Sequence, residues 1–301
     1  MSSIRRTAKR AALLAGPASG GRRPAGGLRL AAGLGAAALL ATWPVATAAA
    51  QNPFDRLRDA QRAVQRAAQR VSTFLPISTE KEIEIGRNIA ATIAGRFPVS
   101  GDAALTRYVN LVGLTVASQA PRPDITYRFA VLETPVVNAY SAPGGYVFIT
   151  RGCLALIQSE AELAGVLAHE VGHVNAKHVI NQIRRSDTMR GVQDVAGIRG
   201  AVLDSVVGTG TNILFTGLSR GDELEADSLG LEYAAGAGYE AGGLAAFVGR
   251  LDQHAGEGPL SEFVATHPRP DERVERLTAI AQRDGLAGGV TLEERYRANV
   301  K

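Results

Sequence analysis

Apolar positions along the chain recur mainly with the 3.6-residue period of an α-helix. Helices are predicted at about 79–94, 102–120, 240–254 and 271–283, and strands near 125–132 and 146–150. The first helix opens with a capping-box pair, Thr79 and Glu82. The strands are short and rich in β-branched and aromatic residues. The pattern therefore predicts an α+β fold that is mainly helical and has a small β-sheet.

One further helical stretch carries candidate chemistry. It opens with Ser159 and Glu162 in a capping-box pattern, and its apolar stripe runs on to Val179. It contains the run His169-Glu170-Val171-Gly172-His173. Four residues turn a helix by about 400°, so both imidazoles leave one face and can reach one ion at roughly 2.0–2.1 Å. Glu170 then lies beside the metal as a candidate general base, as in zinc peptidases.

An acidic helical segment about fifty residues downstream supplies the missing ligand. Glu223 and Asp227 are four residues apart and therefore share one helix face. Catalytic zinc commonly takes three protein ligands, and two histidines with one glutamate are a known set. Glu223 completes that set. Asp227 is placed one turn further on, where it can hold the second ring nitrogen of a metal-bound histidine.

These motifs resemble metallopeptidase family forty-eight. The shared pattern is HExxH, then SRxxExxxD from Ser219 to Asp227, then a His-Pro pair at His267 followed by Arg273. The segment 138–152 is similar to the stretch that precedes the metal helix in that family. The resemblance covers about residues 78–283 and implies a zincin-like metallopeptidase domain whose small sheet lies beside the active-site helix.

The resemblance implies a role for each matched residue. His169, His173 and Glu223 would bind one Zn²⁺ per chain, Glu170 would deprotonate the attacking water, and Asp227 would orient a ligand. His267 and Arg273 match positions that face the metal in relatives, where a cation would stabilise an oxyanion. A second interpretation makes His267 a fourth zinc ligand that displaces water and holds the enzyme latent. The sequence leaves this choice open.

A glycine-rich segment precedes the metal helix. Pro143-Gly144-Gly145 is a turn signal in front of the strand that contains Val147 and Ile149. An edge strand beside the metal would pair with an extended peptide backbone with little sequence preference. Asn138, Ala139, Gly144 and Gly145 are the predicted substrate-binding residues. An ordinary core hairpin explains the pattern equally well.

Charge divides the chain into two parts. The formal net charge is +4, yet residues 1–50 hold seven Arg or Lys and no Asp or Glu, which leaves 26 basic against 29 acidic residues. The basicity belongs to the leader, so a nucleic-acid partner is not expected. The basic start, the apolar run from Leu28 to Leu40 and the small residues ending at Ala50 predict a secretory signal peptide. We expect a periplasmic protein; the Arg-rich leader leaves a mitochondrial location as the alternative.

The predicted organisation is a signal peptide at 1–50, an amphipathic helix and linker at 51–76, and a zinc metallopeptidase domain at 77–301. The amphipathic helix can pack on the domain, pair with a partner or touch a membrane surface. No stretch of the mature chain is apolar enough to predict a membrane span. No repeat array is visible, so we expect no tetratricopeptide module. Cys153, the single cysteine, is predicted to be a buried small hydrophobe.

The charge-poor stretch 186–217 is predicted to contribute a mobile cover over the cleft. The sequence thus predicts a zinc endopeptidase that cleaves misfolded or misassembled cell-envelope proteins, with the outer-membrane assembly machinery as a further partner. The alternative is a metal-binding chaperone for outer-membrane protein assembly that has little or latent proteolysis.

Overall fold

The computed structural model describes residues 77–186, 188, 198–253, 266–267, 270–286 and 288–300. All of them belong to a compact unit that spans Asn52–Lys301. A second unit, Met1–Gln51, lies outside the described residues, and so do the predicted signal peptide and the predicted amphipathic helix at 51–76.

The described elements confirm a mainly helical fold with a small sheet. In chain order they are α1 (Thr79–Arg96), α2 (Ala103–Ala117), β1 (Arg128–Leu132), β2 (Ala139–Ala142), β3 (Tyr146–Thr150), α3 (Arg151–Leu156), α4 (Glu160–Asn175), α5 (His178–Arg185), α6 (Ala201–Thr216), α7 (Arg220–Gly236), α8 (Gly243–Gln253), α9 (Pro270–Arg283) and α10 (Glu293–Asn299). The helices and strands predicted within the described residues are all present, with ends shifted by a few residues.

The described sheet has three strands in the order β1-β3-β2. β3 pairs in parallel with β1 and antiparallel with β2. The strand that contains Val147 and Ile149 is therefore central, and β2 forms the outer edge. The sequence analysis did not predict β2, because four residues are too few to show a clear period.

The two faces of the sheet are covered by different helices. Alternate strand residues, such as Val147 and Ile149, join a cluster with α2 and α4. Their neighbours, such as Tyr140 and Phe148, join a second cluster with α1, α5 and α6. This division follows from the two-residue side-chain period of a strand. The helix α4 lies inside the first cluster and is buried along nearly its whole length.

The helix that carries the HExxH run ends earlier than its apolar stripe suggested. α4 stops at Asn175, and Lys177 takes a left-handed conformation with φ of 57° before α5 begins. Val179 therefore lies on α5 and packs in the second cluster. The prediction of one apolar helix face from Ser159 to Val179 was wrong, because the apolar run continues past the break at Lys177 into a second helix, α5.

Two glycines let α4 and α7 approach closely. A Cβ on Gly230 would lie 2.8 Å from the backbone nitrogen of His169, and one on Gly172 would lie 3.1 Å from the carbonyl oxygen of Ala226. Any side chain at Gly230 would push the helices apart. Glycine at these positions therefore brings the acidic helix within reach of the two histidines.

The stretch predicted as a cover contains a helix, α6, whose last turn lines the cavity described below. Residues 187 and 189–197 of this stretch lie outside the described residues. None of the described helices is by itself long and apolar enough to cross a membrane. α6 and α7 meet that length and composition only as a pair, and they are bent by 77° at their junction.

Candidate metal centre

Four buried side chains converge between α4 and α7. His169, His173, Glu223 and His267 each offer a nitrogen or oxygen atom, and these atoms all lie within 4.8 Å of one another. The Nε2 atoms of His169 and His173 are 2.9 Å apart. Glu223 places one carboxylate oxygen 3.6 Å from His169 Nε2 and the other 3.4 Å from His173 Nε2. The structure thus brings together the three predicted ligands.

These separations fit a tetrahedral metal. Two ligand atoms that each lie 2.0–2.1 Å from a tetrahedral zinc are about 3.3–3.4 Å apart. The three observed separations scatter around that value. Glu223 Oε1 is also buried without a hydrogen-bond partner in the described part of the chain. Two imidazoles and a carboxylate with an unused buried oxygen form a donor set that suits zinc.

The charges in the cluster are divided between its members. Burial opposes a charge on His169, but the neighbouring carboxylates of Asp227 and Glu223 raise its pKa to about 9. Burial and the positive charge on His169 hold the pKa of His173 well below its usual value. Burial alone would raise the pKa of Glu223, but the neighbouring histidines hold it well below its usual value. A dication would replace the proton on His169, because a metal-bound imidazole is neutral.

Asp227 takes its predicted place behind His169. Its Oδ1 lies 2.9 Å from His169 Nδ1, the ring nitrogen that faces away from the cluster. The guanidinium of Arg273 donates two hydrogen bonds to the same carboxylate, at 2.8 and 2.7 Å. This chain of contacts fixes the ring of His169 with Nε2 directed at Glu223 and His173.

Arg273 lies behind the ligands, where two of its nitrogens donate to Asp227. Its third nitrogen, Nη1, is buried without a hydrogen-bond partner in the described part of the chain. These contacts show that Arg273 holds Asp227, and its contact with a reacting oxygen stays a prediction. The motif could not distinguish these roles, since both require a buried arginine near the zinc.

His267 lies at the ligands themselves. Its Nδ1 is 2.7 Å from Glu223 Oε2, and its ring lies edge-on to that of His169 with centroids 5.6 Å apart. His267 therefore belongs to the group of four residues that could hold one metal ion. His267 lines a small cavity together with Glu170, His173 and Glu223. The cavity has a volume of about 20 Å³, which is room for about one water molecule.

The comparisons with known proteins agree with this geometry. Residues 103–281, more than half of the chain, match the family described as Peptidase family M48. The chain belongs to peptidase family M48. Within this M48 domain, α4 and α7 supply His169, His173 and Glu223, three of the four residues in the buried cluster that could hold a metal ion.

Named relatives lie in bacteria and in mitochondria. The chain is 26% identical over 211 residues to the putative beta-barrel assembly-enhancing protease of Vibrio cholerae. The matched residues make up 66% of this chain and 43% of the relative. It is 26% identical over 210 residues to the beta-barrel assembly-enhancing protease of Escherichia coli, with the same coverage. It is 30% identical over 177 residues to the mitochondrial metalloendopeptidase OMA1 of Schizosaccharomyces pombe, which covers 57% of this chain and 52% of the relative. The chain thus spans about half the length of these relatives.

The predicted substrate-binding residues of this M48 domain fall into two groups. Ala139 lines the cavity, with its β2 neighbours Tyr140 and Ser141. Asn138 is fully buried, and its carboxamide oxygen accepts a hydrogen bond from the backbone N–H of Ala139. Gly144 and Gly145 lie outside that lining. They form the turn between β2 and β3 with φ of 75° and 93°, which glycine adopts without strain.

Sequence reasoning missed two parts of the site. The first is the wall contributed by the end of α6 and the residues after it, Ile213, Leu214, Gly217 and Leu218. The second is His178, whose ring packs against that of His173. The five-residue spacing from His173 argued against a shared helix face, and the left-handed turn at Lys177 that brings the rings together leaves no signal in the sequence. Cys153 is buried as predicted, and burial raises the pKa of its thiol.

Proposed function

We propose that this M48 chain is a zinc-dependent endopeptidase of the bacterial periplasm that cleaves misfolded or misassembled envelope proteins. One observation carries the proposal. Glu170 shares a single buried cavity with His173 and Glu223, so a general base lies beside the metal-binding residues. A structural metal site would need no such base.

The residues divide the chemistry of amide hydrolysis between them. Zinc, when bound, would polarise the carbonyl group of the substrate and lower the pKa of a water molecule. Glu170 accepts the proton of the attacking water and delivers it to the leaving amine. Asp227 holds the ring of His169 in one orientation, and Arg273 holds Asp227. The apolar surroundings of Ile213 and Leu214 keep bulk water out.

Substrate binding along β2 follows from its hydrogen bonds. Thr150 donates its backbone N–H to the carbonyl of Asn138, so alternate residues of β2 face β3. Ala139 and Ser141 then direct their backbone groups to the outer edge, beside the cavity. All four residues of β2 are buried in this state. Once the site opens, an extended peptide can pair with that edge through main-chain hydrogen bonds, with little dependence on its sequence. Unfolded chains offer such segments, whereas folded proteins do not.

The cellular role and location rest on different support. The bacterial relatives are named as proteases that enhance β-barrel assembly, so envelope proteins are the substrates and the outer-membrane assembly machinery is a candidate partner. The basic, apolar leader at 1–50 favours export to the periplasm. The OMA1 relatives are named as mitochondrial, which keeps the mitochondrial alternative.

The position of His267 among the clustered ligand atoms favours a latent resting state. We therefore expect His267→Ala to cleave denatured, reduced casein at least about tenfold faster than the unaltered chain, because it would free one metal position for water. Initial rates with zinc, after chelation and after zinc is restored measure this. Both proteins should lose all cleavage on chelation. The control is His254→Ala, a histidine that belongs to no motif.

Each other result has a definite meaning. A fall in rate for His267→Ala, with zinc still bound, would make His267 an oxyanion stabiliser and would overturn the latent state. Cleavage that survives complete removal of the metal would overturn the proposed function. A metal-binding chaperone is also compatible with a latent metal site. The Glu170→Gln variant separates the two functions.

A further inference from the structure

The two candidate histidine ligands are held by different partners. His169 is backed by a carboxylate, Asp227. His173 is backed by another histidine: its Nδ1 lies 2.8 Å from Nδ1 of His178. His178 is buried, and its ring centroid lies 5.0 Å from that of His173. His178 belongs to none of the motifs of the family resemblance, and it does not line the cavity.

This contact fixes the proton arrangement that metal binding requires. A histidine binds a metal through a lone pair, so Nε2 of His173 must carry no proton and Nδ1 must carry one. Nδ1 of His173 then donates to Nδ1 of His178, which has to act as the acceptor. His178 is thereby neutral with its proton on Nε2. The opposite tautomer would place a proton on Nε2 of His173 and block the metal position.

Two carboxylates face the far side of His178, where they can interact with the proton on its Nε2. Nε2 of His178 lies 3.3 Å from a carboxylate oxygen of Glu225 and 3.8 Å from one of Asp222. Asp222 is itself held by the capping box at Ser219 and by a hydrogen bond from Gln182. Both carboxylates are on α7, the helix that supplies Glu223. The contact therefore connects His173 on α4 to the helix of the third ligand.

The backbone between the two histidines is built to make this contact. Five residues along a continuous helix are separated by about 500°, so two such side chains would point in different directions. The left-handed residue Lys177 breaks the helix and turns His178 back toward His173. Lys177 is held in turn by an ion pair with the buried carboxylate of Glu82, 3.2 Å away. A non-glycine residue in this conformation is strained, and the surrounding contacts offset that strain.

We propose that His178 is a positioning residue for the metal centre: it accepts the Nδ1 proton of His173, selects the metal-binding tautomer of that ligand and passes the interaction to Glu225 and Asp222. This inference rests on the proposed zinc site. It concerns metal affinity and coordination geometry, and it does not depend on whether the chain cleaves peptides.

The test compares two variants of nearly equal shape, His178→Asn and His178→Leu. The side-chain oxygen of asparagine lies as many bonds from the backbone as Nδ1 of histidine, so His178→Asn keeps an acceptor, whereas His178→Leu has none. Zinc affinity is measured at one pH by competition with a fluorescent chelator. We expect His178→Leu to bind zinc about 10–100-fold more weakly and His178→Asn to stay within about threefold of the unaltered chain.

Two further measurements separate positioning from folding. The thermal midpoint of each metal-free protein reports whether the substitution disturbs packing. The visible absorption of Co²⁺ bound in place of zinc reports the ligand geometry, and we expect it to change in His178→Leu and to be retained in His178→Asn. If His178→Leu does not fold, His178→Gln replaces it: it moves the oxygen one bond further out and should weaken zinc binding with the polar character kept.

Three results would overturn the inference. Native zinc affinity in His178→Leu would show that the acceptor is not needed, and native affinity in the substitute His178→Gln would show that the acceptor need not be at the position of Nδ1. Equal losses in His178→Asn and His178→Leu would assign the effect to lost volume or aromatic packing. If the unaltered chain bound no zinc, both this inference and the proposed function would fail. If the unaltered chain and the variants bound zinc equally well, only this inference would fail.

Discussion

Glu170→Gln should abolish cleavage of unfolded protein, with a loss of at least about 100-fold, and should leave zinc bound. General base catalysis contributes about 10²–10⁴ to such rates. Glutamine has nearly the same shape as glutamate but cannot accept the proton of the attacking water. Glu170 is not among the four clustered ligand atoms, so the metal site should survive. Initial cleavage rates and zinc content, measured on the same sample, test both halves of this prediction.

The control for this variant is Glu294→Gln, the same substitution at an exposed position of α10. It should cleave at the native rate. Retained proteolysis in Glu170→Gln would contradict the mechanism. The chaperone function would be supported by a different result. In that case the unaltered chain and Glu170→Gln would both bind zinc and would suppress aggregation of an unfolded outer-membrane protein equally well.

The largest effect on stability is expected for Asp227→Asn. Asp227 and Arg273 are both buried and are joined by two hydrogen bonds. Removal of one partner of a buried ion pair leaves the other charge without compensation, which costs about 3–5 kcal/mol. The free energy of unfolding in urea, measured on the metal-free protein, should fall by that amount. Zinc affinity should also fall by about 10–100-fold, because His169 loses its orienting carboxylate.

An exposed pair of the same chemistry serves as the control. Asp284 accepts two hydrogen bonds from Arg283, each at 2.7 Å, but both side chains are exposed to water. Asp284→Asn should therefore change stability far less than Asp227→Asn. Equal effects of the two substitutions would contradict the assignment of Arg273 to a buried pair. So would full recovery of stability by Arg273→Lys in the Asp227→Asn background.

The same pair predicts the acid limb of the stability profile. Burial alone would raise the pKa of Asp227, but the charge and hydrogen bonds of Arg273 hold it below its usual value. A depressed pKa means that the contribution is complete above the unfolded value of about 4 and is lost as the pH falls below it. The unaltered chain should lose stability in that range more steeply than Asp227→Asn. Parallel profiles would contradict this.

The sequence specified those parts of the site that follow from helix periodicity. His169 and His173 share a face because they are four residues apart in one helix, and the same spacing relates Glu223 to Asp227. The approach of the two helices could not be read from the sequence, although the glycines that permit it, Gly172 and Gly230, are visible there. A glycine shows what a backbone can do but does not name the helix that approaches it.

The errors have physical causes. The direction of the Arg273 side chain toward Asp227 was not predicted, because a motif shows proximity and gives no direction for the side chain. The helix α6 was missed because its glycines disfavour a helix, and contacts override that preference: a Cβ on Gly210 would lie 2.5 Å from Ile89. His178 was missed because its contact depends on one left-handed residue. The contacts that could not be predicted are therefore those that depend on tertiary packing and on the turn at Lys177, and not on the periodicity of a helix.

The central claim is that the buried cluster between α4 and α7 holds one zinc ion through His169, His173 and Glu223. Metal content of the purified chain, determined by mass spectrometry beside Glu223→Ala and Glu232→Ala, tests it most directly. Both glutamates are on α7, but Glu223 is buried at the cluster and Glu232 is exposed. We predict one zinc per chain in the unaltered protein and in Glu232→Ala, and little or none in Glu223→Ala after dialysis. Full zinc content in Glu223→Ala, or none in the unaltered chain, would contradict the claim.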